Sequence, residues 1–576
     1  MKREASFDQL PRPVQVIVIM FLTLITLRQS FTPNDTAAAG QPGEFTTPRE
    51  QLESNKPGND PPRRGFPAPE LDGSSEWFNT SAPVHLKDLR GKFVILDFWT
   101  YGCINCIHIL PELKKLETAF PNNVVVIGIH SGKFFAEHDA QGIQQAILRY
   151  EIDHPVVNDA DYKIWNSYGC HIWPTLLAID PEGKLVASHT GEIDFATLGE
   201  FLRQNLPNYR AKGALDERPV HFQPERNLGA EMPLYYPGKV LADEASNRLF
   251  ISDTGHNRIV ITSLDGKILE IIGAGSVGNT DGDFTTAEFN HPQGLALYDD
   301  SLFIADTQNH LLRKVDLQNR RVVTIAGTGR QANPDLLMKE AAEAFAGPPL
   351  MTALNSPWAV VINADDLYIA MAGAHQIWRM PLDASSIGPY AGNGREDIVN
   401  GALLPRRPAT VLMSSFAQPS GLTSDGKLLY SADCEGSSVR SMPFDALGMV
   451  STIIGTAALD QSARLFTCGD IDGHPGKARL QHCMDVAYGN GQLYVADTYN
   501  HKIKVIDLKT RECTSLAGSG KPGYRDSSTG ESAEFFEPGG ISCAAHKLYV
   551  ADTNNYGIRV IDLVEGGVST LHFSRQ

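Results

Sequence analysis

The chain has 576 residues, more than one ordinary hydrophobic core accommodates, so two or three domains are expected. Hydrophobic residues make up 42% and charged residues 20% of the sequence, which excludes a chain that is disordered throughout. The formal net charge is −17, and no nucleic-acid partner is expected because binding to phosphate backbones needs clustered Lys and Arg.

An uncharged apolar run extends from Val14 to Leu27, after a basic head and before Arg28. This length suits the core of a signal peptide, about 7–15 residues, better than a transmembrane helix of about 20 residues. Residues 1–28 are therefore interpreted as a signal peptide, cleaved near Ala37-Ala38-Ala39, or as a short uncleaved anchor, with a buried globular helix as a further alternative. Segment 29–65 contains six prolines among polar residues and predicts a disordered linker.

Apolar strands alternate with helix-length segments from Phe93 onward, which is typical of βαβ units. The pattern predicts an α/β domain over residues 66–210, followed by a linker over 211–235. Its predicted strands are Phe93–Thr100, Val124–His130, Thr175–Asp180 and Lys184–His189, and its predicted helices lie near 104–119, 139–150 and 194–204.

Six copies of a short β-rich unit follow, spaced by roughly 53–65 residues. Clear examples are Leu302-Phe-Ile-Ala-Asp-Thr-Gln-Asn309 and Leu493-Tyr-Val-Ala-Asp-Thr-Tyr-Asn500, and most units begin with a Pro-x-Gly-like sequence. One such four-stranded sheet cannot bury both of its faces, so six sheets are expected to close into an all-β propeller over residues 236–576. The Asp-Thr-x-Asn residues are interpreted as structural, because they end a strand and bond turn backbone groups.

Cys103 and Cys106 have the C-x-x-C spacing and follow a predicted buried strand. A cysteine at a helix N-terminus meets unpaired N–H groups, which favour the thiolate, so we expect Cys103 to be the exposed, attacking thiol and Cys106 the buried, resolving thiol. A zinc site would need a second close Cys/His pair, and neither His108 nor His171 supplies one with suitable spacing. Ile107 excludes the haem motif C-x-x-C-H. No metal and no cofactor are expected. Whether Cys468 and Cys483 pair stays open.

The segment from Val94 to Cys106 resembles the thioredoxin family, because Asp97-Phe98-Trp99 precedes the first cysteine. The resemblance implies that Asp97 accepts the proton of Cys106, and that Trp173-Pro174-Thr175 carries a cis-proline which, with Trp99, contacts the substrate. Ile-Asn stands between the cysteines where thioredoxin has Gly-Pro, and Gly102 stands where thioredoxin has a second Trp. These departures leave the direction of electron flow open.

Over about residues 70–571 the chain resembles the NHL repeat-containing protein 2 family, in motifs such as Phe416-Ala-Gln-Pro-Ser-Gly421 and Phe536-Glu-Pro-Gly-Gly540. The resemblance implies a thioredoxin-like domain followed by a six-bladed NHL propeller. The expected function is thiol–disulfide exchange on protein substrates, with the propeller as the platform that binds a protein partner. One alternative is a non-catalytic scaffold with a vestigial redox site. Another is a lactonase-type hydrolase with calcium near Asp281-Gly-Asp283 or Asp470-Ile-Asp472.

The N-terminal pattern predicts export into a periplasmic or lumen-like compartment, with or without anchoring by residues 14–27. A reporter fused after residue 66 is expected to leave the cytoplasm. A reporter that stays in the cytoplasm would contradict the interpretation, and the same fusion without residues 1–28 serves as the control.

Overall fold

The computed structural model describes residues 64–574 except 75, 226–231, 334–345, 405–412 and 446. The apolar run 14–27 and nearly all of the predicted linker 29–65 lie outside these residues. Within the described part of the chain, no helix is both long enough and apolar enough to cross a membrane.

The first domain is a six-stranded sheet in the order β1-β4-β3-β2-β5-β6, with helices packed on its faces. Its strands are β1 (Trp77–Phe78), β2 (Phe93–Trp99), β3 (Val124–His130), β4 (Val156–Asn158), β5 (Thr175–Ile179) and β6 (Leu185–Thr190). Its helices are α1 (Ile104–Ala119), α2 (Ala140–Arg149), α3 (Lys163–Tyr168) and α4 (Phe195–Ala211). The central strand β2 runs parallel to β3 and antiparallel to β5.

The sequence pattern placed β2, β3, β5 and β6 to within a residue or two, because each is an apolar run bounded by turn residues, whereas the short strands β1 and β4 were not predicted. Helix α4 is longer than predicted and continues through Pro207 to Ala211. Its last turns are held by packing, since Tyr209 stacks edge-on against Phe93 at 5.3 Å. Tertiary contact thus outweighs the lost N–H of the proline.

Six further sheets follow, one for each copy of the repeat, and they form the six-bladed β-propeller. The four main strands of each blade lie in chain order. Blade 1 holds β7 (Val240–Asp243), β8 (Arg248–Asp253), β9 (Arg258–Ser263) and β10 (Ile268–Ile272); blade 2 holds β12 (Pro292–Tyr298), β13 (Ser301–Asp306), β14 (Leu311–Asp316) and β15 (Arg321–Ala326); blade 3 holds β16 (Pro357–Asn363), β17 (Asp366–Met371), β18 (Gln376–Pro381) and β19 (Gly388–Ala391). Blade 4 holds β21 (Pro419–Ser424), β22 (Leu428–Asp433), β23 (Ser438–Pro443) and β24 (Met449–Ile454); blade 5 holds β25 (Asp485–Gly489), β26 (Gln492–Asp497), β27 (Lys502–Asp507) and β28 (Cys513–Ala517); blade 6 holds β29 (Pro538–Ala544), β30 (Lys547–Asp552), β31 (Gly557–Asp562) and β32 (Val568–Thr570).

Two blades carry a fifth strand, which the four-stranded expectation did not include. β11 (Gly282–Asp283) pairs with β15 of blade 2, and β20 (Gly401–Ala402) pairs with β24 of blade 4. Each covers the outer edge of its sheet, where backbone groups would otherwise be unpaired. A short helix α5 (Gln461–Arg464) lies between blades 4 and 5.

Neighbouring blades are joined at their first strands, which contact one another around the ring. Threonine hydroxyls strengthen these junctions: Thr307 donates to the carbonyl of Pro357 at 2.7 Å, and Thr498 donates to that of Pro538 at 2.8 Å. Thr553 of blade 6 donates to Pro237 O at 2.9 Å, which joins the last blade to the first. The residues after β32 add a second closure, because Ile268 N donates to Ser574 O at 2.9 Å.

The repeated aspartate is buried and organises the turn after the second strand of its blade. Asp497 accepts hydrogen bonds from Gln481 N and from the side chain of Asn500, and Lys504 Nζ lies 3.8 Å from its carboxylate. Equivalent pairs with a buried arginine occur in three other blades: Asp306 with Arg313, Asp433 with Arg440, and Asp552 with Arg559. In blade 3, Met371 replaces the aspartate and Trp378 replaces the arginine. Both charged residues are thus absent together, and neither is buried without its partner.

Replacing Asp497 is expected to lower stability without lowering activity per folded molecule. Asp497→Ala leaves Gln481 N and the Asn500 amide without their partner, which costs about 1–3 kcal/mol. Denaturant midpoints of the variant and wild type measure the loss. Asp383→Ala, at an exposed turn aspartate of blade 3, is the control and should stay near wild type. A loss of activity at unchanged stability would instead make Asp497 a functional residue.

Candidate active site

The two cysteines of the C-x-x-C motif lie at the first turn of α1, directly after β2. Cys103 is the N-cap of the helix, and Cys106 lies one turn along it, with Cys106 N 3.1 Å from Cys103 O. The Cys106 thiol donates a hydrogen bond to the Cys103 sulfur, and this bond, helped by the charge of Lys133, lowers the pKa of Cys103 although burial opposes it. Burial and the same hydrogen bond raise the pKa of Cys106 well above its usual value. The geometry therefore distinguishes a nucleophilic sulfur from a protonated one.

Asp97 lies on β2 and is fully buried behind the cysteines. Neither of its carboxylate oxygens has a hydrogen-bond partner among the residues that the structure describes. Burial raises the pKa of Asp97 to about 7, and the charge of its carboxylate contributes to the raised pKa of Cys106. A carboxyl with a pKa near neutrality suits proton exchange with a thiol.

The Trp173–Pro174 peptide bond is cis, as the thioredoxin resemblance implied. The Trp173 indole donates to Ser131 O at 2.9 Å, and the Thr175 hydroxyl donates to Ile172 O at 2.6 Å. Trp99 is fully buried, with its ring 5.0 Å from that of His130, and its contact with a substrate stays a prediction.

The expectation that Cys103 is the exposed thiol is wrong in this structure, because the side chain is only 2% exposed. The propeller covers it. The side-chain oxygen of Gln418 accepts from Ile104 N at 2.8 Å, and its amide donates to Gly102 O at 2.9 Å. His482 Nε2 lies 3.2 Å from the same carbonyl. The cysteine pattern alone predicts a helix N-terminus open to solvent, and it carries no information about a second domain docked there.

Gln418 and His482 belong to a set of six equivalent residues, one on the stretch leading into the first strand of each blade. We call this set the collar; all its members have left-handed backbone, with φ between 46° and 60°. The collar consists of Tyr236, His291, Ser356, Gln418, His482 and Glu537. The preceding blade holds five of these backbones in place, because a side chain from the turn between its second and third strands accepts the collar N–H. The accepting side chains are Asn257, His310, His375, Ser437 and His501.

The collar carries much of the contact between the two domains, which lie in one compact unit from Thr47 onward. Besides Gln418 and His482, three members bond residues of the thioredoxin-like domain. These bonds join Glu537 to Tyr101 at 3.2 Å and to Arg149 at 3.3 Å, Ser356 to His108 at 2.7 Å, and Tyr236 to Gln145 at 3.0 Å. Sequence reasoning missed these residues. The available signal was their position, since five of the six directly precede the proline of the repeat.

A cavity of about 1040 Å³ lies beside the covered thiol, between α1 and the propeller. Both domains contribute to its walls, which include Gly102, Ile104, His108, Gln418, His482 and Tyr499. Side chains of mixed polarity therefore meet next to the redox pair. A substrate segment that entered here would lie against the first turn of α1.

Three of the four aspartates considered for calcium are paired with cations, and the fourth, Asp283, accepts hydrogen bonds from Thr285 and Thr286. Asp281 accepts from Arg313 at 2.9 Å, and Lys504 Nζ lies 2.6 Å from Asp470 and 2.9 Å from Asp472. Over the described ranges, no group of three or more His, Cys, Asp or Glu side chains is arranged for a metal ion. Cys468 and Cys483 are both free thiols.

Removing the Gln418 side chain is expected to uncover Cys103. Gln418→Ala loses two hydrogen bonds to the first turn of α1, and at about 1 kcal/mol each this makes local opening, and alkylation of Cys103, about 30-fold faster. Peptide mass spectrometry after short exposure to iodoacetamide measures the rate. Ser420→Ala, in the same blade but bonded to Met484 O within the propeller, is the matched control. Equal rates in all three proteins would contradict a cover formed by Gln418.

Comparison with known proteins agrees with this architecture. A family model described as thioredoxin-like matches residues 91–185, and a model of the NHL repeat matches residues 480–506. Thiol-disulfide oxidoreductase ResA of Halalkalibacterium halodurans is 28% identical over 125 residues, 22% of this chain and 68% of ResA. Protein SUPPRESSOR OF QUENCHING 1, chloroplastic, of Arabidopsis thaliana is 40% identical over 511 residues, 86% of this chain and 47% of that protein. NHL repeat-containing protein 2 of Homo sapiens is 39% identical over 537 residues, 88% of this chain and 72% of the human protein. The chain belongs to the NHL repeat-containing protein 2 family.

Proposed function

We propose that this protein is a thiol–disulfide oxidoreductase that acts on protein substrates through Cys103 and Cys106. The thioredoxin-like domain and its similarity to thiol–disulfide oxidoreductases support a redox-type role. The observation that carries the finer proposal is the pair of hydrogen-bonded thiols at the start of α1 with the buried, unpartnered carboxyl of Asp97 behind them. This arrangement holds the nucleophile, the resolving thiol and a proton acceptor together.

In the reducing direction, the Cys103 thiolate attacks a substrate disulfide, and one substrate sulfur leaves as a thiolate that takes a proton. Asp97 then accepts the proton of Cys106, whose sulfur attacks Cys103 in the mixed disulfide. The second substrate thiolate leaves and takes that proton from Asp97. The substrate has gained two electrons and two protons, and Cys103 and Cys106 are left as a disulfide. The oxidising direction reverses each step.

The propeller serves as the platform that admits the partner to this site. Collar residues cover Cys103, so the substrate segment reaches the sulfur only where contacts such as those of Gln418 give way next to the interdomain cavity. A partner bound on the propeller face can supply the binding energy for this opening. Export into a periplasmic or lumen-like compartment, through residues 14–27, completes the proposal.

A second candidate is a binding scaffold in which the dithiol no longer exchanges with partners. The observation that favours it is the 2% exposure of Cys103 beneath side-chain bonds from two blades. Under this alternative the propeller still recruits a partner, but no mixed disulfide forms.

Partner trapping separates the two candidates. Cys106→Ser is expected to accumulate mixed disulfides on Cys103, because the attacking sulfur remains and the resolving sulfur is absent. Adducts that migrate slowly on non-reducing gels and disappear on reduction measure the trapping, with Cys103→Ser/Cys106→Ser as the control. If Cys106→Ser captures nothing and the wild-type protein exchanges with no model disulfide or dithiol, the scaffold is the correct function.

A further inference from the structure

Lys133 is a buried lysine of the thioredoxin-like domain whose two partners come from the propeller. It lies between β3 and α2 and is 7% exposed. Its Nζ is 2.6 Å from Glu396 Oε1 and 2.6 Å from Glu435 Oε1. Glu396 lies on the stretch between blades 3 and 4 and is half-buried, whereas Glu435, in the turn of blade 4, is 1% exposed. This buried ionic cluster is a further contact between the two domains, in addition to those of the collar.

This cluster adjoins the redox pair. The Lys133 ammonium lies 5.9 Å from the ring centre of Trp173, the residue before the cis-proline. The carboxylate of Glu137 accepts hydrogen bonds from both Lys133 N and Gly102 N, the latter directly before Cys103, and so joins Lys133 to the redox motif. The positive charge of Lys133 favours the Cys103 thiolate, and the negative charge of Glu396 disfavours it. The mechanism of disulfide exchange described above does not use Lys133, Glu396 or Glu435.

We propose that the redox site is composite: Glu396 and Glu435 of the propeller are positioning residues that hold Lys133 beside Cys103, and so determine how readily the Cys103 thiolate forms. The inference deepens the proposed oxidoreductase and rests on it for its role in catalysis. It gives the propeller a part in the chemistry in addition to binding a partner.

Charge balance explains why two carboxyl groups meet one lysine. Two buried anions beside one cation would leave an uncompensated charge, which low-polarity surroundings disfavour. Burial and the neighbouring Glu396 raise the pKa of Glu435, which favours its protonated form. Burial alone would raise the pKa of Glu396, but the charges of Lys133 and His375 outweigh it and lower that pKa. Ionised Glu396 therefore offsets the positive charge of Lys133 and limits how far Lys133 stabilises the Cys103 thiolate.

Titratable side chains of both domains surround Cys103 and the Lys133 cluster. From the thioredoxin-like domain they are Asp97, Cys106, Lys133 and Glu137; from the propeller they are His375, Glu396, Glu435, His482 and Tyr499. Of these, Lys133 and Glu396 act on the Cys103 thiolate with opposite signs. Their removal must therefore shift its pKa in opposite directions.

The pH profile of Cys103 alkylation tests the inference in the reduced full-length protein, followed at the Cys103 peptide by mass spectrometry. Lys133→Met is expected to raise the pKa of Cys103 by about one unit, because a nearby opposite charge is lost. Glu396→Gln/Glu435→Gln, which prevents Glu435 from ionising in place of Glu396, is expected to lower the pKa of Cys103 by a measurable fraction of a unit or more. Glu192→Gln is the matched control, since Glu192 also bonds across the domain interface, to Gln331, yet lies with His108 and away from the thiol. Its profile should match wild type.

Opposite shifts exclude a merely structural role, because loosening of the interface by either substitution would expose Cys103 and move both profiles in the same direction. Shifts of the same sign, or no shift in either variant, would overturn the inference. Alkylation needs no substrate, so the outcome is independent of the trapping experiment. Opposite shifts in a protein that traps no partner would contradict the oxidoreductase and leave the composite site standing.

Discussion

The contact on which the site depends is the one between the first turn of α1 and Gln418. A helix begins with backbone N–H groups that have no partner within the helix. Here the side chain of Gln418, from the other domain, accepts from Ile104 N and donates to Gly102 O. Because these bonds place the propeller against the turn that carries Cys103, they bury the thiol, form one wall of the cavity and bring blade 4 within reach of Lys133.

The regular geometry of the propeller creates this contact. The aspartate after the second strand bonds the N–H just before a collar residue, as Asp497 does to Gln481 next to His482, and a side chain of the preceding blade bonds the collar N–H itself. The repeated motif has a structural role, because its hydrogen bonds fix the backbone of the collar residues. The same backbone position carries five kinds of side chain across the six blades, with histidine in two of them, so one repeated turn supplies Gln418, His482 and Glu537 for different contacts.

Burial and charge act against each other at the thiols. Desolvation alone would raise both cysteine pKa values, but the hydrogen bond from Cys106 and the charge of Lys133 lower that of Cys103. The covered site thus keeps one sulfur poised for ionisation while solvent and unselected thiols are held away. Under the proposed function, a partner would have to open the domain interface before it could react with Cys103.

The sequence by itself determined the elements that local patterns encode: the strands around Phe93–Trp99 and Val124–His130, six propeller blades, the two cysteines at a helix start, Asp97 behind them and the cis-proline at Pro174. Apolar periodicity, repeat spacing and motif position are local properties, so they can be followed along the chain. Only the tertiary structure decided that Cys103 is covered, that Trp99 lies in the core, and that Lys133 meets Glu396 and Glu435. The contacts of Cys103 and Lys133 join residues that are hundreds of positions apart, and they exist because two separately patterned domains dock in one orientation, which no local pattern in the chain encodes.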